Sequence, residues 1–287
     1  MAIRILVVAC VSMMLALTLS ARALCAEEDA RSDDRFLVYL GGFSPHVDST
    51  IKINGEIAKP PPIDVENTLG VEQGKEVLWG GARWQISNRH SVETEIFILN
   101  RDGMNGFDGE NIGVGNYIVE AGSIVTASDL TLGRVTYGFK LGQWGRSELE
   151  LKTGLHIVDI SAALHLIGNV CDTTMGESPP CPPITTPIAE SENVIAPLPH
   201  LGASYHFDFS ENWALRLQVI GFAIELDTID GSILEIDADV AWHPWRHFGL
   251  GAGFRYFDVD VKSTGSRLDG EFEYGYVGPA IYFSTTF

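Results

Sequence analysis

The chain is short of positive charge, short of cysteine and, past its start, free of long apolar runs. It carries 19 Lys and Arg against 38 Asp and Glu, a formal net charge of −19. An acidic balance of this size argues against a nucleic-acid partner, whose phosphates need a basic face. Although 45% of the residues are hydrophobic, no stretch beyond the first 26 approaches the ~18 uninterrupted apolar residues of a membrane helix. The sequence also lacks HExxH, paired CxxC and any Gly-rich phosphate loop, so no metal and no cofactor is expected.

What is present begins with an export signal. Arg4 is a short positive region, Ile5 to Leu19 is apolar and uncharged, and Ala21-Arg22-Ala23 is a small-x-small cleavage pattern, with Ala26 as a second cut. Residues 1–26 therefore read as a secretory signal peptide. Leu24 before Cys25 argues against a lipoprotein. Removing Arg4 and Arg22 leaves the mature chain more acidic still. Residues 27–34 are polar and acidic, a periplasmic leader. Cys10 leaves with the signal, and Cys25 leaves if the cut follows Ala26. Cys171 and Cys181 remain in an oxidising compartment, where they are expected to pair.

From Arg35 onward the period is two. The last stretch, Glu271 to Phe287, sets Phe287, Phe283, Ile281 and Val277 on one parity and Ser284, Gly278 and Tyr276 on the other. That is a strand between two environments. Further strands read at Arg35–Ser44, Glu76–Ser87, Ser91–Arg101, Asp129–Leu141, Ser147–His165, Ile195–Phe207, Trp213–Asp227, Ser232–Trp242 and His247–Val261, with a bulge expected past Gly221. Short turns alternate with longer connections at Pro45–Lys75, Asp102–Ser128 and Gly168–Val194, the second with a strand extension at Tyr117–Val125. The fold expected is all-β: an antiparallel up-and-down transmembrane β-barrel over residues 35–287, of about ten strands with eight to twelve open.

Aromatic placement agrees. Trp84, Trp144, Trp213, Trp242 and Trp245, with Phe287, all lie beside short turns, as a girdle at one membrane interface requires. Charge sorts by parity. Arg83, Glu93, Glu95, Arg134, Lys140, Glu148, Glu150, Lys152, Arg216, Glu235, Asp237, Asp239 and Arg255 share one face, with His156, opposite a nearly charge-free one. An Arg or Lys facing lipid at mid-bilayer costs ~2–4 kcal/mol, so this parity should face the lumen as a polar network. A narrow barrel is largely filled by its side chains.

Catalytic constellations are absent along each strand. His156 and Asp159 point to opposite faces, and His200 and His206 lie roughly 20 Å apart. His243 and His247 flank a turn. Asp227, Asp230, Asp258 and Asp260 form an acidic outer rim. No enzymatic activity is expected.

The hairpins GGARWQISNRHSVETEIFILNRDG, SELELKTGLHIVDISAAL and HPWRHFGLGAGFRYFDVDV, with the closing strand ending on Phe287, resemble a group of small, uncharacterised proteobacterial outer-membrane β-barrel proteins. The resemblance runs from Arg35 to Phe287. It implies a Gram-negative outer-membrane location, outer-membrane lipid as the surroundings, insertion by the barrel-assembly machinery through the last strand, and a monomer. It carries no catalytic residues. The expected role is structural or passage of small solutes through a mostly filled lumen. The alternatives are surface interaction through the loops, or a barrel enzyme acting on lipid or peptide.

Overall fold

In the computed structural model the described residues are 35–53, 62–114, 116–184, 188–225, 229–264 and 269–287. The expected signal peptide and leader lie outside them. The alternating segments pair with their sequence neighbours, which is the least costly way to close long-range ladders. Strand β1 (Phe36–Phe43) pairs with β4 (Val77–Ser87), and antiparallel pairing then continues through β5 (His90–Val114), β6 (Tyr117–Trp144), β7 (Ser147–Asp172), β8 (Ile188–Asp208), β9 (Trp213–Glu225), β10 (Ile229–Trp245), β11 (Phe248–Thr264) and β12 (Asp269–Thr286). The last strand returns to β1, with Leu37 opposite Thr286, so the ring closes with about ten strands. The chain ends meet at the short-turn side, where Phe36 N–H donates to the Phe287 carbonyl at 2.9 Å. The fold is an antiparallel up-and-down transmembrane β-barrel, and no helix among the described residues is long and apolar enough to cross a membrane.

Three connections differ from the sequence reading. Pro45–Lys75 is not one loop. β1 breaks at Ser44-Pro45 and continues in the same register as β2 (His46–Ile53) against β12. A two-residue strand β3 (Ile63–Asp64) and a helical turn α1 (Val65–Leu69) follow. Asp64 caps α1, accepting from Asn67 N–H at 2.8 Å, and Gly70 ends it at φ 69°. Residues 62–74 form a strap that fills the wall between β2 and β5 above the short β1 and β4, with Val71 bridged to Gly103 and His46 to Gly74.

Asp102–Ser128 is mostly strand, and Gly168–Val194 is strand at its two ends with an irregular centre: β5 and β6 stay paired to Val114 opposite Tyr117, β6 and β7 to Tyr117 opposite Asp172, and β8 begins at Ile188. Two glycines in these expected connections sit at a close approach. Gly122 and Gly168 face each other at φ 149° and 127°, and a Cβ on Gly122 would lie 1.9 Å from the Ile167 carbonyl oxygen. β6 has 28 residues, whereas ~9–11 span a bilayer, so β5 to β8 rise beyond the membrane as a sheet. The Gly221 bulge is also corrected: β9 pairs with β10 in unbroken register through Gly221 opposite Leu234. What changes at Gly221 is the other side, since β8 pairs with β9 only over Leu201–Asp208. Above that point β8 follows β7 alone among the described strands, to Ile188 opposite Leu166. Pro197 and Pro199 lie on this free edge, where a missing N–H leaves nothing unpaired.

Candidate functional site

The outward parity is apolar and the inward parity is packed. Leu151, Leu155, Leu201, Phe254, Ile281 and Phe283 are exposed on the outer face. Inside, side chains fill the barrel in layers.

Nearest the short turns, Arg83 pairs with Glu150 at 3.0 Å and approaches Glu148 at 3.9 Å, while Lys140 meets Glu148 at 2.5 Å. Ser91 Oγ donates to Glu150 at 2.5 Å. Above lies the main ionic layer. Arg134 pairs with Glu235, with Glu93 at 3.2 Å and with Glu95 at 3.3 Å, and lies 3.7 Å from Asp237. Arg255 holds Asp237 at 3.0 Å and Glu95 at 2.5 Å, and its guanidinium lies over the Trp79 ring at 4.5 Å. Lys152 donates to Glu93 at 2.8 Å and to Gln218 at 2.5 Å. Arg216 pairs with Asp239 at 2.8 Å, and Tyr282 donates to the same carboxylate at 2.7 Å. The thirteen charged residues singled out by parity thus face the interior in these two layers, each in an ion pair.

Room for these large groups comes from glycines opposite them. A Cβ on Gly251 would sit 2.1 Å from the Tyr282 ring, and one on Gly138 would sit 2.3 Å from Glu150 Oε1. A cavity beside Trp79, Arg216, Asp237 and Tyr282 measures about 10 Å³, space for about one water.

Three further groups form a directed chain ending on Glu235 that strand-by-strand reading missed. Thr136 Oγ1 lies 3.1 Å from His200 Nε2, His200 Nδ1 lies 3.0 Å from His156 Nδ1, and His156 Nε2 lies 2.8 Å from Glu235 Oε2. With Glu235 as acceptor, His156 carries its proton on Nε2, so His200 donates from Nδ1 and Thr136 donates to His200. This has the polarity of a nucleophile relay, yet His156, His200 and Thr136 are each no more than 1% exposed. Buried in this way, it orders the interior. The signal for it was available only as two histidines on the inward parity of adjacent strands.

Over the ionic layer lies an aromatic one. Tyr276 contacts Phe257 at 5.0 Å, Phe43 at 5.2 Å and Phe97 at 5.3 Å between ring centres, with Leu99, Leu130, Leu132 and Val158 around them. Above it Arg101 anchors the strap. It pairs with Glu66 of α1 at 2.5 Å and reaches Ser49 at 3.3 Å, while Ser49 N–H donates to Glu66 at 2.8 Å. Val65, Leu69 and Val71 of the strap then pack on Ile124, Leu166 and Val170.

The girdle residues point outward at the short-turn end, and Trp84, Trp144, Trp213, Trp242, Trp245 and Phe287 are all exposed. Phe36 stacks on Trp84 at 5.9 Å and on Phe287 at 5.7 Å, and Trp213 on Trp242 at 6.0 Å. At the opposite end Cys171 and Cys181 are disulfide-bonded, with Cα atoms 5.0 Å apart. Beside them Asp172 accepts from the Thr174 hydroxyl at 2.6 Å and from its N–H at 2.9 Å, which holds the carboxyl below its usual range. Of the acidic rim, Asp227 lies outside the described residues. No group of three metal-ligating side chains is found among the described residues.

No protein-family model matches the chain, and no characterised protein matches it by sequence. Solved structures match by fold. The outer membrane protease OmpT of Escherichia coli aligns over 93% of this chain and 100% of its own at 9% identity, with a TM-score of 0.58. The toluene transporter TodX of P. putida aligns over 88% of this chain and 90% of its own at 9% identity and a TM-score of 0.35. Ail of Yersinia pestis aligns over 87% and 98% at 12% identity and a TM-score of 0.28. The first likeness is one of fold alone: this chain has the architecture of an outer-membrane β-barrel.

Proposed function

We propose that the protein is a non-conducting barrel of the Gram-negative outer membrane that carries a surface-interaction structure on its outer side. The export signal at residues 1–26 delivers it, the barrel-assembly machinery inserts it through the strand ending at Phe287, and it stands as a monomer. It is not an enzyme in this reading, because the relay-like chain found among the described residues is sealed inside. The observation that carries the reading is the double filling of the lumen, ionic pairs below and the Tyr276 aromatic layer above. Solute passage needs water through both layers. A second support is the investment in β5–β8 beyond membrane height, stiffened by the Cys171–Cys181 bridge.

Planar-bilayer recording tests this. The refolded protein should give no discrete ion-conducting steps. Steady unitary steps would overturn the reading and establish solute passage.

A further inference from the structure

The β10–β11 turn bears a groove on the lipid side of the wall. Between Trp242 and Trp245 the register shifts: Trp242 faces Leu250 and Trp245 faces Phe248, so β10 holds one residue more. Such a bulge re-aims side chains. Here it opens a groove of about 570 Å³ between Trp245, Phe248, Leu250 and Phe283. These four are exposed, Phe283 by 71%. Elsewhere in the girdle Trp84 stacks on Phe36 and Trp213 on Trp242. At this point an open apolar space is left.

Arg246 forms the lip of the groove. The backbone around it is pinned: Thr286 N–H donates to the His247 carbonyl at 3.1 Å, and His243 N–H donates to the Asn212 carbonyl at 2.7 Å. The Arg246 side chain is exposed, and among the described residues no carboxylate pairs with it. Indole rings settle at headgroup depth, so a guanidinium one residue beyond Trp245 stands at the level of lipid phosphates. Arginine takes phosphate oxygens in a two-pronged geometry.

We propose that this groove is a site for one anionic glycerophospholipid of the periplasmic leaflet, with an acyl chain between Phe248 and Phe283 and the phosphodiester on Arg246. A preformed channel and a pinned turn spare the ordering cost that annular lipid would meet. The proposal is independent of whether the lumen conducts.

The test is native mass spectrometry of the full mature chain released from bilayers of phosphatidylcholine doped with palmitoyl-oleoyl phosphatidylglycerol. The wild-type protein should retain one phosphatidylglycerol. Arg246→Gln should lower its occupancy about tenfold, the loss of one charge-assisted contact, and Phe283→Ala should lower it as well. Arg89→Gln, at another short turn, should leave it unchanged. Heat-dependent mobility on gels confirms that each variant is folded. Equal retention by Arg246→Gln, or an equal loss in Arg89→Gln, overturns the site. So does a dimer mass that disappears in Phe283→Ala, which would make a second copy the occupant.

Discussion

Replacing Arg134 with methionine is the sharpest probe of the filled interior. The guanidinium serves Glu93, Glu95 and Glu235 and stands 3.7 Å from Asp237. Its side chain is only 3% exposed, so the carboxylates it leaves behind cannot turn to solvent. Breaking one partner out of a buried pair costs about 3–5 kcal/mol. Lys152 still holds Glu93 and Arg255 still holds Glu95, which places Arg134→Met near the lower end, at about 3 kcal/mol. Urea unfolding in lipid vesicles, followed by tryptophan fluorescence, should show a lower midpoint with an unchanged slope. Adding Glu235→Leu to Arg134→Met should recover part of the loss, because an apolar pair of similar volume replaces a buried ionic one at little cost. The non-additivity should be about 1 kcal/mol or more. A loss below ~1 kcal/mol in the single variant, the range of exposed pairs, would refute the argument, because only a water-filled lumen could supply that screening.

Three shorter tests bear on other parts of the molecule. Gly251→Ala should destabilise the barrel by about 1–3 kcal/mol through overpacking, read as a lower temperature for loss of folded gel mobility, and should add little further loss in a Tyr282→Ala background, where the ring 2.1 Å from the new Cβ is gone. Peptide mapping without reductant should find Cys171 linked to Cys181, and Cys181→Ser should speed proteolysis between residues 172 and 184 without altering the gel shift of the barrel. Asp172 should titrate below an ordinary carboxyl by NMR, so its contribution to the order of that tip is present above the unfolded pKa and fades as pH falls through the folded one. Thr174→Val should move the titration back up, since the Thr174 hydroxyl is the largest cause of the shift.

The wall was legible in the sequence and the pairings across the lumen were not. Period-two alternation sorted Leu151 from Lys152 and Leu201 from His200, because a face turned to lipid tolerates no charge. Tryptophans beside Asn88-Arg89 and His243–Arg246 marked the turn end for the same reason. The pairing of His156 with His200 escaped notice because they lie 44 residues apart, and register depends on cross-strand packing that neither segment encodes alone. The strap escaped notice because Pro60, Pro61 and Pro62 forbid sheet, which says nothing of an Asp64-capped turn two residues later. Gly122 and Gly168 fell within expected connections, whereas their place is where two strands nearly touch.

The strap and the aromatic layer make different claims about closure, and they can be separated. If the strap were the gate of an open tube, freeing it would let ions through. Arg101 is its principal anchor, tied to Glu66, to Ser49 and to the Glu72 carbonyl, with the Tyr274 ring 5.6 Å away. Arg101→Gln removes the buried ion pair and should free residues 62–74, read as faster cleavage by protease there. Tyr276, Phe257, Phe43 and Phe97 lie below the anchor and reach it through the Tyr274 ring, 6.5 Å from Tyr276 between centres, but they are held by their own contacts, and each ring pair adds about 0.5–1.5 kcal/mol to the closed arrangement. The variant should therefore be protease-sensitive at the strap and still electrically silent. Conductance appearing together with cleavage would show that the strap alone seals the barrel and that the layers beneath it admit water.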